Sequence, residues 1–178
     1  RAGRPQYEDM GVSYICTSGE KLPHYIESIT SAHPIESTFL RSIVDALNAE
    51  VALGSVTSLD DGISWLGFTY LFTRLCKAPR VYGLDAHDFE ADPTLTQRRR
   101  QWITYAANIL AQHQMVEFDL AAGTLRPTNM GRIASRYYLS HKTVGIFHER
   151  LRNNLVEADA LSLMSRAADF DQIPLRES

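Results

Sequence analysis

The residues best suited to chemistry in this sequence are arginines. The chain opens RAGRPQYED, without a Met, and Arg1 and Arg4 bracket an Ala-Gly pair. A guanidinium is permanently charged, and its planar fork matches phosphate oxygens. A glycine between two of them permits close backbone approach. Such a pair can offset the charge on a transferring γ-phosphoryl group. The competing reading of the same four residues is an unstructured edge. Arg98, Arg99 and Arg100 form the one dense basic run. Consecutive helical residues fan out around the axis, so the three cannot follow one phosphate track. A solvated face with one or two ion pairs is the favoured reading, and a nucleic-acid contact by Arg98, Arg99 and Arg100 the lesser one.

Other chemistries find little support. The chain has six histidines but no HExxH, and none stands with cysteines at metal-ligand spacing. His113 and His148 fall in helical stretches and read as surface or capping residues. In GISWLG, Ser64 lacks the strand-to-helix turn and the GxSxG spacing of a nucleophile elbow, so it reads as a packing residue. The sequence holds neither a Walker A loop nor a Gly-rich dinucleotide loop. Trp65, Tyr70, Phe72 and Trp102 could be imagined as a base-stacking platform, but inside apolar helices they read as core. Cys16 and Cys76 are far apart and read as reduced core residues of a nuclear or cytoplasmic protein.

Those residues must be carried by elements, and composition allows them. The 178 residues are 44% hydrophobic and 22% charged, the balance of a chain with a real core. The formal net charge of -3 removes any overall basic field for nucleic acid. There is no signal peptide, and no apolar run is long enough to span a bilayer, so secretion and membrane insertion are not expected.

GVSYIC at 11–16 alternates as a short strand would, and GEKLPHYIESI follows as a short amphipathic helix. Pro34 is placed to start a helix with Ile35, Phe39, Ile43 and Leu47 on one face, closed by Gly54. Ser58 with Asp61 resembles a capping box for one long, centrally buried helix, LDDGISWLGFTYLFTRLCKA, stopped by Pro79. Asp92 and Pro93 are expected to cap and open the next helix. Short extended runs on either side of Ala121, Ala122 and Gly123 predict a hairpin. Thr128 is placed to cap a further helix, and helical patterns near 142–152 and 156–167 follow. Three helices and then a hairpin is the order of a winged-helix domain.

Several stretches carry a more specific likeness. RAGRPQY resembles the second half of the last conserved motif, QxxGRAGRPxxD, of the superkiller-type superfamily-two helicases. HPIES, DALNAEVALG, WLGFTYLFTRL, YG, DPTL, MGRIASRYYLSH and FDQIPLRE then follow in the order and spacing of that family's large two-cassette subgroup. ALGSVTS, DPTL and FDQI lean to its transcriptional-cointegrator type rather than its spliceosomal type. The motif departs after Tyr7, where Glu8 stands in place of the usual Asp, and its leading Gln lies outside the sequence.

The resemblance implies a fold that is mostly α with a small β component. Residues 1–31 would be the tail of a second RecA-like domain, 32–128 a winged-helix domain, and 129–178 the start of a helical bundle. It implies a segment of an ATP-dependent 3′-to-5′ RNA helicase, using ATP and Mg in the intact protein. In that protein Arg1 and Arg4 would contact phosphate. RNA, the other domains of the same helicase and subunits of a protein complex would be the partners, in nucleus or cytoplasm. The alternative is a stand-alone winged-helix module that binds nucleic acid or a partner protein.

Overall fold

In a computed structural model of the chain, the described residues are 6–7, 10–30, 35–152 and 154–171. They divide into two compact units, Arg1–Ile35 and Glu36–Ser178. Arg1, Arg4 and Pro34 lie outside the described residues.

The described residues of the first unit hold helix α1, Leu22–Thr30. The strand expected over 11–16 is not formed. Alternation supplies side-chain placement, but a strand also needs a neighbour to take its backbone hydrogen bonds, and none of the described residues pairs with this stretch. Cys16 is exposed there, and Cys76 is exposed in the second unit, so neither is the core residue expected.

The second unit is built on helices α2 (Ile43–Leu53), α3 (Leu59–Gly67), α4 (Tyr70–Lys77), α5 (Ala86–Ala91) and α6 (Thr96–Gln112). The hairpin of β1 (Val116–Asp119) and β2 (Thr124–Pro127) follows, then α7 (Asn129–Tyr137), α8 (His141–Arg150) and α9 (Glu157–Met164). The sheet is antiparallel, with Val116 opposite Pro127 and Asp119 opposite Thr124. Ser58 bridges to Thr124, and the Leu125 N–H donates to the Thr57 carbonyl at 2.8 Å, so the α2–α3 linker acts as a short third edge of the wing. The architecture is mostly helical with one small sheet, as the sequence predicts.

The first long helix starts later than expected. Ile35 is exposed, a short 3₁₀ turn occupies Phe39–Arg41, and α2 begins at Ile43. Gly54 ends it with φ 81°, a conformation that costs glycine nothing. The predicted helix over LDDGISWLGFTYLFTRLCKA is two helices. On a straight helix, Leu66 and Leu75 would lie roughly 180° apart at about 100° per residue. The chain breaks at Thr69, whose hydroxyl donates to the Leu66 carbonyl at 2.7 Å and accepts from the Phe72 N–H at 3.4 Å. The break lets Leu66, Leu71 and Leu75 all reach full burial in one core with Leu47, Ile103 and Leu110. It also turns Tyr70 outward, at 53% exposure, where the sequence placed it in the core. Trp65 and Phe72 are partly buried against that core, and Ser64 is exposed on α3 rather than packed.

Helix α6 is capped from a distance. Asp92 is not its first flanking residue; the helix begins at Thr96. The Asp92 carboxylate accepts from the N–H groups of Thr96 at 2.9 Å and Gln97 at 2.7 Å, across a turn in which the Leu95 N–H donates to the Asp92 carbonyl. Leu95 pays for that turn with a left-handed φ of 51° and is buried in return.

Candidate functional site

The arginine run lies on the first turn of α6, and its three side chains go three ways. Arg98 is partly exposed, donates to Gln101 Oε1 at 3.3 Å and sits 5.9 Å from the Trp102 ring centroid. Arg100 is exposed and ion-paired with Asp60 at 2.8 Å. Arg99 turns inward. Its Nη1 donates to the Ile63 carbonyl at 2.6 Å and its Nη2 to the Thr94 carbonyl at 3.1 Å, while its carbon centre lies 4.9 Å from the Phe72 ring centroid. Its Nε is buried without a partner. Gly67 is what admits it, since a Cβ there would meet Arg99 Nη1 at 2.7 Å. Arg99 therefore clips α6 to the end of α3 and is not part of a solvated face; Arg100 supplies the expected ion pair.

A second cluster forms where the unit begins. Glu36 accepts from Arg74 twice, Nη2 to Oε1 at 2.7 Å and Nε to Oε2 at 3.1 Å, a bidentate pair. The Tyr82 hydroxyl donates to the same carboxylate at 2.8 Å and accepts from the Ser37 N–H at 2.8 Å. The Arg74 and Tyr82 hydrogen bonds hold the Glu36 carboxyl below its ordinary range. Burial, then its hydrogen bond to Glu36, raises the Tyr82 phenol. Gly83, at φ 72°, closes the turn that aims Tyr82.

A third cluster joins the winged-helix elements to the helices after the hairpin. Thr128 accepts from the Gly131 N–H to cap α7 and donates back to the carbonyls of Gln114 and Met115. Gly131 is buried against α2 and the start of β1; an added Cβ would collide with the Met115 carbonyl oxygen. Buried Asn48 of α2 donates to the Gly131 carbonyl at 3.0 Å, and its Oδ1 has no partner. Asp45 of α2 accepts from the His141 N–H at 2.7 Å and lies 3.0 Å from that ring's Nδ1. The His141 ring stands 5.9 Å from His113, the residue that ends α6. Burial, and then His141, holds the His113 imidazole below its ordinary value. Gly145 fits only because it lacks a Cβ, which would meet the His113 ring at 2.6 Å. Ala134, Thr143 and Val144 complete the packed joint.

Among the described residues, no group of His, Cys, Asp and Glu is placed to hold a metal ion. The clusters are joints, and their composition can be matched to known proteins. A family model described as a winged helix-turn-helix domain matches residues 36–111, and one described as a Sec63 Brl domain matches residues 127–178. Human activating signal cointegrator 1 complex subunit 3 is 40% identical over 177 residues, 99% of this chain and 8% of that protein. The same-named protein of Dictyostelium discoideum is also 40% identical over 99% of this chain and 8% of its own length. The RQC trigger complex helicase SLH1 of Saccharomyces cerevisiae is 43% identical over 178 residues, 99% of this chain and 9% of that protein.

Over nearly its whole length the chain is similar to these proteins. It spans less than a tenth of the length of these relatives. Several of the stretches by which it resembles that helicase family supply the joints: HPIES gives Glu36, TRL gives Arg74, YG gives Tyr82 and Gly83, DPTL gives the Asp92 cap, and MGRIAS gives Gly131. Sequence reasoning missed Glu36, Arg74, Asn48 and the Asp45–His141 pair. Arg74 is buried in an apolar helix that reads as core, a signal that it must have an acceptor; nothing in the sequence names Glu36 as that acceptor. Arg1 and Arg4 lie outside the described residues. No helix among the described residues is long and apolar enough to cross a membrane.

Proposed function

We propose that this chain serves, within an ATP-dependent 3′-to-5′ RNA helicase, as the winged-helix brace that passes motion of the motor to a helical bundle. The observation that carries the reading is the third cluster. Residues matched by the winged-helix model and residues matched by the Sec63 model share one packed joint, fixed by Asn48–Gly131 and Asp45–His141. A joint tied by hydrogen bonds and close glycine contacts transmits displacement better than a loose linker does. That suits a brace better than a flexible tether, and the relatives' names as helicase and complex subunit supply the context.

In this reading ATP and Mg are bound by the intact protein, and the nucleotide supplies the free energy of phosphoryl transfer. Arg1 and Arg4 are the residues of this chain that would offset charge on the γ-phosphate, as their match to the helicase motif suggests. RNA and other subunits of a complex are the partners. Of the arginine run, Arg98 and Arg100 are the two on the outer face, so any RNA contact there falls to them and not to Arg99.

The test loosens the joint in the full-length helicase. The double variant Asp45→Ala, Asn48→Ala removes the α2 side chains that hydrogen-bond Gly131 and His141 of the following helices. RNA-stimulated ATP hydrolysis should stay within about twofold of wild type, while strand unwinding per ATP falls severalfold. Unwinding that stays fully coupled to hydrolysis would rule out the brace.

A further inference from the structure

His113 ends α6 and packs against α8. Its ring stands 5.9 Å from that of His141, the first residue of α8. One turn further along the same face of α8, Gly145 lies so close that an added Cβ would meet the His113 ring at 2.6 Å. The ring is therefore held between a second imidazole and a piece of backbone that carries no side chain. No hydrogen bond or ion pair reaches it among the described residues. The titratable groups that act on it are His141, His148 and Glu149 of α8 and Asp45 of α2. His141 in turn faces Asp45, which accepts from its N–H, and shares a hollow with Arg41, Lys142, Asp169 and Asp171.

We propose that this pair makes the joint pH-sensitive: a proton taken up by the His113 ring releases α8 from the end of α6. A neutral imidazole rests against Gly145 and the His141 ring at little cost. An imidazolium has two N–H donors to satisfy, and the closed joint offers neither an acceptor. Burial, and then His141, holds the His113 ring below its ordinary value, against the pull of Glu149 and Asp45. In the opened joint the same ring takes up a proton near the ordinary value of about 6.5. Closure is therefore fully favoured above that range and weakens as the pH falls through it, because the open state binds the extra proton. The release is confined to α8. The Asn48–Gly131 hydrogen bond, which ties α7 to α2, contains no titratable group and stays in place.

Amide hydrogen exchange of the chain, followed by NMR and expressed as protection factors, reads the release residue by residue. One proton taken up on opening shifts the opening equilibrium by at most about tenfold per pH unit. Amides 144–148 of α8 should therefore lose about three- to tenfold in protection between about pH 7.5 and about pH 5.5. At the lower pH they should exchange at least about tenfold faster than amides 103–110 of α6, which open only with the whole unit. In His113→Gln the loss in α8 should shrink below about twofold, whereas His87→Gln, at an exposed histidine, should keep it in full. Should His113→Gln fail to fold, the wild-type ring decides: its Cε1–H resonance must titrate below about 6.5. Protection of α8 that does not change with pH, or a loss undiminished in His113→Gln, overturns the proposal. So does a His113 ring that titrates at or above the ordinary value. Equal protection in α8 and α6 at the lower pH would show that only unfolding of the whole unit senses the proton, and overturns it too. None of these outcomes touches the brace, which stands or falls on the coupling of unwinding to hydrolysis.

Discussion

At Arg99, one guanidinium meets two carbonyls and an aromatic face, while its neighbours on either side face outward. The difference is geometric. Successive helical positions turn by about 100°, so only one of three consecutive residues can point at α3. The glycine at position 67 then leaves the space it needs. The run of three was legible as arginines fanning out, and the ion pair of Arg100 with Asp60 fits that reading. What was not legible is which of the three found acceptors inside, because the carbonyls of Ile63 and Thr94 exist as acceptors only once α3 and the turn before α6 are placed. The consequence can be measured. Arg99→Ala strands two carbonyls in a partly covered site and should lower stability by about 1–3 kcal/mol, against well under 1 kcal/mol for Arg98→Ala. Arg99→Lys should recover only part of the loss, since a single ammonium cannot reach both carbonyls as the fork does. Urea midpoints at constant slope decide it; an Arg99→Ala midpoint equal to wild type would show that the clip contributes nothing.

Elements follow from sequence where their signals are local. Thr128 capping α7, Gly54 ending α2, Pro79 ending α4 and the hairpin beyond Met115 are all set by a side chain and its nearest backbone, so they were readable. The break at Thr69 was not. An apolar stretch with residues on every side reads as one buried helix, and only the position of the core decides that it must bend. The same holds for 11–16, where alternation was present but no pairing partner was. The bend sorts the side chains of WLGFTYL into two groups, and this sets their energetic weight. Leu66 is fully buried between α3 and the core, so Leu66→Ala should cost about 2–5 kcal/mol. Tyr70, only half covered beyond the bend, should lose far less when truncated to Ala, on the order of 1 kcal/mol. Equal losses for the two variants by denaturant titration would mean that the helix runs straight and both side chains are core.

At the scale of the whole molecule, the family motifs and the physical joints coincide, which is why a resemblance carried by short peptides could forecast an architecture. Glu36, Asp92 and Gly131 lie in three separate motifs, and each fixes one element to another. Motifs that hold joints survive in a segment of any length; a motif for catalysis has meaning only when its facing residues are present. On the proposed function Arg4 belongs to the second kind. In the full-length helicase its guanidinium should act on γ-phosphate charge that is largest in the transition state, so it lowers the barrier more than it tightens ground-state binding. Arginines in such positions are worth about 10³–10⁵ in rate. Arg4→Ala should therefore abolish most RNA-stimulated ATP hydrolysis in the full-length protein while leaving affinity for a non-hydrolysable ATP analogue within a few-fold. Arg4→Lys should rescue poorly, because the planar fork is lost even though the charge is kept. In the 178-residue chain the same substitution should leave the urea midpoint where it was. Steady-state hydrolysis and analogue binding, measured on one preparation of the variant, separate the two effects. A variant that hydrolyses ATP at the wild-type rate would remove Arg4 from the chemistry and leave the proposed role resting on the mechanical joints alone.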